Sequence, residues 1–221
     1  MAAPTLVMAT RNPGKVRELN ALLKDLGIKL LSLKDFPDLP EIAEEGATFA
    51  ENAAAKARQV ARLTGLPALA DDSGLEVAAL GGRPGVFSAR YAQEGAYAGL
   101  SRDEANWRKL LAELEGVPWD RRQASFVCEM ALVLPDGRLY HARGECPGLI
   151  ALTPRGDKGF GYDPVFWVPA YGQTMAELEV GVKNAISHRG RALAALKVLL
   201  ASLKEELANF CQDNRGVAQP G

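Results

Sequence analysis

Hydrophobic residues follow two different periods along the first part of the chain. Short apolar runs at residues 5–9 and 29–33 have the length of β-strands, and a stripe of leucine and valine at helical spacing lies between them. Asn12 and Pro13 are typical of a helix start, and Gly27 is typical of a helix end. The pattern predicts a strand, a helix and a second strand in that order.

A second helix is predicted by Thr48 and Glu51, which have the spacing of a capping box. We expect this helix to run to about Leu63. A third strand begins at residues 68–70 and is expected to end where the chain becomes acidic. The order of elements so far is typical of an α/β protein.

The rest of the chain predicts an amphipathic helix, a hairpin and a long final helix. Their expected bounds are 101–114 for the helix, 124–134 and 138–150 for the hairpin, and 187–208 for the last helix. Leucines repeat in the last helix at spacings of three and four, over too short a length for a coiled coil, so we expect them to face the core. These are Leu193, Leu196, Leu200, Leu203 and Leu207. We therefore predict an α/β fold with a mixed sheet in one domain, residues 1–208, and a disordered tail, residues 209–221.

Composition excludes several classes of protein. The chain has 221 residues, of which 48% are hydrophobic and 24% are charged, so it is not a disordered protein. Its net charge of −1 disfavours sequence-independent binding to nucleic acid, which needs a basic face. No apolar run is long enough for a membrane helix or resembles a signal peptide. The three cysteines, Cys128, Cys146 and Cys211, fit a reducing cytoplasm better than a disulfide framework.

A candidate phosphate site follows the first strand. Backbone N–H groups at a helix start carry partial positive charge, glycine permits close approach, and a lysine adds a full charge. The residues of this turn are Thr10, Arg11, Asn12, Pro13, Gly14 and Lys15. They do not form the nucleotide-binding P-loop pattern, because its first glycine and its hydroxyl residue are missing. An ordinary turn with a solvated lysine is an equally good interpretation of the spacing alone.

Acidic pairs supply a second candidate group. Glu44 and Glu45 lie in a loop, and Asp71 and Asp72 follow a short apolar strand. Carboxylates from two segments can share Mg²⁺ with substrate phosphates, and a neighbouring aspartate can act as a general base toward water. Surface charge is the alternative, and it is the better interpretation for the glutamates taken alone.

Two further groups lie in the last third of the chain. A glycine-rich loop at residues 156–163 contains two aromatic side chains that could approach a flat ligand or enter the core. Lys183, His188 and Arg189 lie just before and at the start of the last helix, where the helix dipole disfavours cations. A solvated basic first turn is the alternative. Together, the four groups suit metal-assisted hydrolysis of a nucleotide.

Six stretches of this sequence resemble the XTP/dITP diphosphatase family, also called Ham1-like proteins or inosine triphosphate pyrophosphatases. They occur in the family's order between about residues 5 and 205. The stretches are TRNPGK (10–15), TFAENAAAKA (48–57), ADDSGL (70–75), PGVFSARY (84–91), GFGYDP (159–164) and ISHRG (186–190).

The resemblance implies a Mg²⁺-dependent homodimer that cleaves non-standard purine nucleoside triphosphates to a monophosphate and pyrophosphate. It also implies an elongated mixed sheet flanked by helices, with two lobes and a nucleotide cleft between them. Asp72 corresponds to the catalytic residue and a metal ligand, and Glu44 or Glu45 to the other metal position. The triphosphate contacts correspond to residues 10–15 and Lys56. The nucleoside contacts correspond to Ser73, Phe160, Gly161, Tyr162, Asp163, Lys183, His188 and Arg189.

Two departures from the family pattern are present. Arg11 stands where many members have glycine, and Val180-Gly181-Val182 replaces a more polar approach to Lys183. A Maf-like pyrophosphatase of modified pyrimidine nucleotides is one rival interpretation, which the His188-Arg189 pair disfavours. A non-catalytic nucleotide- or RNA-binding module is the other. Paired acids beside a phosphate site disfavour it, because they repel phosphate unless a metal ion intervenes.

Overall fold

The computed structural model describes residues 3–40, 42, 45–92 and 97–213 of the chain. The strands are β1 Thr5–Met8, β2 Lys29–Ser32, β3 Ala68–Val77, β4 Gln123–Val133, β5 Leu139–Ile150, β6 Phe166–Val168 and β7 Gln173–Thr174. The helices are α1 Pro13–Leu23, α2 Phe49–Thr64, α3 Arg102–Glu113, α4 Val180–Ile186, α5 His188–Ser202 and α6 Lys204–Asp213. Within this part of the chain, no helix is long and apolar enough to cross a membrane.

The strands form one sheet in the order β2-β1-β3-β4-β5-β6-β7. Strand β1 pairs in parallel with β2 and β3, whereas β6 pairs antiparallel with β5 and β7. The parallel part comes from strand–helix–strand units, whereas the antiparallel part joins strands that follow one another in the chain. The predicted mixed α/β sheet is confirmed.

Local capping residues start three of the helices, and two of these caps, Asn12 and Thr48, are those that the sequence predicts. The Asn12 side chain accepts a hydrogen bond from the Gly14 N–H at 2.8 Å. Thr48 and Glu51 form a reciprocal capping box at α2, and the Ser101 side chain caps α3. Each interaction satisfies an N–H group that has no partner inside its helix.

The chain divides into two compact units, and β3, β4 and β5 contribute residues to both. Unit 1 comprises residues 1–72, 129–143 and 192–221. Its core includes small residues of α2 and apolar residues of β1, β3 and β4, so the helix can pack closely. Members of this core are Val7, Ala53, Ala57, Val60, Ala70, Ala131 and Val133.

Unit 2 comprises residues 73–128 and 144–191. Its core combines the last part of β3, the first part of β4, the last part of β5, and α3 with β6. Members are Leu75, Val77, Leu110, Leu114, Phe126, Ile150 and Phe166. The rings of Phe126 and Phe166 lie 4.3 Å apart between centroids.

The structure differs from the sequence prediction at β3. We expected the strand to end at Asp71 and Asp72, but it continues to Val77, so both aspartates lie within the strand. Leu75 and Val77 are buried in the core of unit 2, and Glu76 between them is only partly buried. This alternation, typical of a strand with one buried face, extends the strand beyond the acidic pair.

The last predicted helix is also divided. Lys183 lies in a separate short helix, α4, and Ser187 joins α4 to α5. The predicted helix is interrupted at Leu203, between α5 and α6, where the Leu199 carbonyl accepts from both the Ser202 hydroxyl and the Leu203 N–H. Of the five leucines of the predicted stripe, Leu196, Leu200 and Leu207 are buried, and Leu193 and Leu203 are partly buried. Residues 209–213, expected to begin a disordered tail, belong to α6, and residues 214–221 lie outside the described residues.

Candidate functional site

A group of polar side chains lies in unit 1, and we call Lys15, Asn52, Lys56, Asp71 and Asp72 the polar cluster. Helix α1 supplies the first lysine, α2 supplies the asparagine and the second lysine, and β3 supplies the two aspartates. Asn52 and Lys56 lie on the same face of α2 because they are four residues apart.

Asp71 connects the two lysines to β3. The Lys15 ammonium lies 2.8 Å from Oδ1 and 2.6 Å from Oδ2 of Asp71, whose side chain is 4% exposed. The Lys56 ammonium donates to the main-chain carbonyl of the same residue at 2.7 Å. The acidic strand and the turn after β1 are therefore held together by ionic and hydrogen-bonded contacts.

Asp72 is oriented differently from its neighbour. Asn52 donates from Nδ2 to Oδ2 of Asp72 at 2.9 Å, and the Lys56 ammonium lies 3.8 Å from Oδ1. The Asp72 side chain is 15% exposed, which makes it the more accessible carboxylate of the pair. Asn52 also accepts from the Gly46 N–H at 2.7 Å, and a Cβ on Gly46 would lie 2.7 Å from that oxygen. The orientation of Asn52 thus requires glycine at this position.

The turn after β1 is held partly by its own side chains. The Asn12 side chain accepts a hydrogen bond from the Gly14 N–H, and the Asn12 backbone N–H donates to the Thr10 hydroxyl at 3.2 Å. Arg11 extends toward the carbonyls of Leu33 and Leu39, at 3.5 and 3.4 Å. Residues 10–15 therefore form an ordered helix start, and Arg11 contacts backbone oxygens that follow β2.

Two of the three predicted metal ligands, Glu45 and Asp72, are among the described residues. Glu44 lies outside the described residues, and Glu45 is exposed in the segment before α2. Within the described ranges, no three His, Cys, Asp or Glu side chains form a group that could hold a metal ion. Mg²⁺ commonly takes one or two carboxylates, with water and substrate phosphates as its other ligands. The accessible oxygens of Asp72 fit that requirement.

Unit 2 contains a cavity of about 190 Å³. Side chains from β3, α3, β4, α5 and the glycine-rich loop surround it, and they combine apolar surface with charged groups. Its lining residues are Ser73, Gly74, Ser88, Ala89, Asp103, Asn106, Phe126, Phe160, Gly161, Tyr162, Asp163, Lys183 and His188. Seven of the predicted nucleoside contacts are among them; Arg189, the remaining one, is not.

The glycine-rich loop is ordered by Asp163. Its Oδ2 accepts from the Lys183 ammonium at 2.5 Å and from the Phe160 N–H at 2.8 Å. Burial raises the pKa of Asp163, and these two donors oppose the shift. Gly159 has φ +86°, and a Cβ there would lie 2.1 Å from this carboxylate. Close packing around the ion pair therefore explains the glycine.

The two aromatic residues of the loop have different environments. Tyr162 is buried in the core of unit 2 and donates its hydroxyl to the Ser88 carbonyl at 2.8 Å. Phe160 is 73% exposed, with the Lys183 ammonium 5.0 Å from its ring centroid. One ring therefore stabilises the wall of the cavity, and the other is available to a planar ligand. The His188 ring stacks on Phe126 at 5.0 Å.

Sequence reasoning missed several residues of these two groups. Asn52 orients Asp72, and its position four residues before Lys56 was the available signal. Asp103, Asn106 and Phe126 line the cavity, but no local pattern distinguishes them from surface or core residues. Ser88 also lines it and lies in the family stretch at 84–91.

The fold is that of an α/β protein with a mixed seven-stranded sheet flanked by helices. The family model described as the Ham1 family matches residues 6–199. The chain belongs to this family.

Individual relatives are similar over nearly the whole matched region. A dITP/XTP pyrophosphatase of Geobacter sulfurreducens is 59% identical over 192 residues, which cover 87% of this chain and 94% of that protein. A HAM1 protein from Coxiella burnetii has a similar structure, with a TM-score of 0.83 and 46% identity over 90% of this chain and 98% of that one. The Staphylococcus aureus Ham1 protein gives a TM-score of 0.82 and 39% identity, over 90% of this chain and 100% of that one.

Proposed function

We propose that this protein hydrolyses non-standard purine nucleoside triphosphates, XTP, ITP and dITP, to the monophosphate and pyrophosphate. This reaction removes deaminated purines from the nucleotide pool before they enter DNA or RNA. The observation that carries the proposal is the Asp72 carboxylate, which Asn52 orients beside the Lys56 ammonium. Relatives named dITP/XTP pyrophosphatase, at 59% and 53% identity, support the substrate class.

The polar cluster acts on the triphosphate in this proposal. The amides of the turn at residues 10–15 and the Lys15 and Lys56 ammonium groups bind phosphate oxygens. Asp72 accepts a proton from the water that is added across the bond between the α- and β-phosphates, and pyrophosphate leaves. Mg²⁺, when bound by Asp72 and a glutamate of the 44–45 pair, would neutralise phosphate charge.

The cavity of unit 2 accepts the base. Phe160 offers an aromatic face, and Lys183, His188 and Arg189 offer hydrogen-bond donors. Inosine and xanthosine carry an oxygen at purine position 6, which satisfies such donors, whereas the amino group of adenosine faces them donor to donor. Ser73, which lines the cavity, directly follows Asp72 in β3.

We further propose that residues 1–208 act as one nucleoside-triphosphate pyrophosphatase domain and that the protein works as a cytoplasmic homodimer. The resemblance to the family implies the dimer. Cys128 and Cys146 are both buried and not disulfide-bonded, in keeping with a reducing compartment. The net charge of −1 argues against nucleic acid as a partner.

The test is a turnover screen with the purified full chain. ITP, XTP, dITP, ATP, GTP, CTP and UTP are each incubated with Mg²⁺ or with EDTA, and nucleotide products and pyrophosphate are quantified by ion-exchange chromatography. We expect Mg²⁺-dependent release of monophosphate and pyrophosphate, with ITP and XTP preferred. The Asp72→Asn variant keeps the shape of the side chain, and its turnover should fall roughly 100-fold or more.

Three results would overturn this proposal. Release of a diphosphate with inorganic phosphate would exclude cleavage between the α- and β-phosphates. A preference for pyrimidine nucleotides would favour the Maf-like alternative, and binding of ITP without turnover would favour a non-catalytic module.

A further inference from the structure

Asp103 reaches from α3 to the tip of the glycine-rich loop. Its Oδ2 accepts a hydrogen bond from the Gly161 N–H at 2.7 Å, although 58 residues separate the two in the chain. Asp103 lies in the first turn of α3, two residues after the capping Ser101. The first turn of a helix is a favourable place for a carboxylate, and here the helix presents that carboxylate to the loop as a hydrogen-bond acceptor.

The tip of the loop is held by two carboxylates from different elements. The Phe160 N–H donates to Asp163, and the next N–H in the chain, that of Gly161, donates to Asp103. Phe160 itself is largely exposed, so burial of its ring does little to fix its position. The hydrogen bonds to these adjacent amides, with the Lys183 ammonium near the ring, fix the direction in which Phe160 faces.

The same helix also holds a second wall of the cavity. Asn106, one turn after Asp103 on α3, is buried and accepts from the Ala92 N–H at 2.7 Å. Its Nδ2 donates to the carbonyls of Ser88 and Ala89, both at 3.3 Å. Helix α3 is therefore the common support of the glycine-rich loop and of the segment that contains Ser88.

We propose that Asp103 is a positioning residue for base recognition, acting through the Gly161 amide to hold Phe160 where the base stacks. This inference rests on the proposed function, because it concerns how the cavity of unit 2 binds the base of the nucleotide. Asp103 belongs to unit 2 and the polar cluster to unit 1, so loss of Asp103 should affect binding more than the chemical step.

Asp103→Ala and Asp103→Asn are the test variants. Glu104→Ala is the matched control, because Glu104 is the next residue of α3 and its carboxylate pairs with Arg108 instead of the loop. KM and kcat are measured with ITP, thermal unfolding is recorded, and exchange of the Gly161 amide hydrogen is followed by NMR.

We expect Asp103→Ala to raise KM for ITP by about tenfold while kcat changes less than twofold. The reason is that the variant loses one hydrogen bond to a charged group, and this bond contributes to binding and not to the chemical step. Exchange of the Gly161 amide should accelerate by a similar factor. Asp103→Asn retains an acceptor oxygen and should recover most of both effects. Glu104→Ala should match the wild type in both measurements.

The following outcomes would contradict the inference. Unchanged KM and unchanged Gly161 exchange in Asp103→Ala would overturn it, and so would equal losses in Glu104→Ala. A raised KM with unchanged exchange would mean that Asp103 contacts the base directly. If the wild type hydrolyses no ITP, the proposed function fails, and this positioning role in base recognition fails with it. The exchange experiment, which needs no substrate, then still shows whether Asp103 orders the loop.

Discussion

The Lys15 ammonium contacts both carboxylate oxygens of Asp71, a residue 56 positions later in the chain, at 2.8 and 2.6 Å. The Asp71 side chain is almost fully buried, whereas that of Lys15 is 24% exposed. A buried carboxylate needs a compensating charge, and the lysine provides it. The contact also holds Lys15 at the polar cluster before any phosphate binds.

A double-mutant cycle measures this contact. Lys15→Met leaves the Asp71 carboxylate buried without that ammonium, and we expect the free energy of unfolding to fall by about 3 kcal/mol. The double variant Lys15→Met/Asp71→Asn should recover part of the loss, with a coupling energy of at least about 1 kcal/mol. The free energies of unfolding are measured in urea for the wild type, Lys15→Met, Asp71→Asn and the double variant. Strict additivity would show that the contact contributes nothing to stability.

Lys56 should affect the triphosphate and not the choice of base. Lys56→Met removes an ammonium group that lies 3.8 Å from Asp72 and bonds to the Asp71 carbonyl. We expect kcat/KM for ITP and XTP to fall by the same factor, with a loss of about 1–3 kcal/mol in stability from the buried carbonyl. Arg58→Ala, an exposed cation on the same helix, is the control. A changed ranking of bases in Lys56→Met would contradict the assignment.

Base discrimination should depend on the donors near the cavity. Lys183→Met and Arg189→Ala each remove donors that an oxygen at purine position 6 would satisfy, and we expect the ratio of kcat/KM for ITP over ATP to narrow about tenfold or more. Rejection of GTP, which has the same oxygen, should change less. Arg191→Ala is the control, because Arg191 donates to the Glu145 carbonyl. If the ratio of kcat/KM for ITP over ATP is unchanged in both variants, these side chains do not recognise the base, and the backbone of residues 160–163 becomes the better candidate.

The pKa of Asp163 predicts a dependence of stability on pH. Burial raises this pKa above the ordinary value of 3.8, with Lys183 and the Phe160 N–H opposing the shift. The folded state then binds the proton more readily than the unfolded chain, so this group favours folding at low pH and loses that contribution as pH rises through the raised value.

Urea unfolding of the wild type and Asp163→Asn at a series of pH values tests this dependence. From about pH 3.8 upward, the stability of the wild type relative to the variant should decrease, and it should level off above the raised pKa. A constant difference, or a wild type that gains relative stability as pH rises, would contradict the prediction.

Much of the secondary structure could be predicted from short stretches of sequence. Asn12 and Thr48 cap the helices that they were expected to start, because a capping contact involves residues only two or three positions apart. The hairpin of β4 and β5 was predicted for the same reason. Its turn has Gly137 at φ +92°, a backbone conformation that glycine adopts readily.

The sequence by itself also determined the family, because six separate stretches match it in order. It did not determine which partners those residues contact. Strand β3 passes through Asp71 and Asp72 because Leu75 and Val77 are buried in unit 2, and the first aspartate binds Lys15 while the second is oriented by Asn52. The Asp103–Gly161 hydrogen bond joins α3 to a loop far along the chain. Such pairings depend on the tertiary packing that brings distant segments together. A local sequence pattern reports only on neighbouring residues, so it carries no information about these long-range contacts.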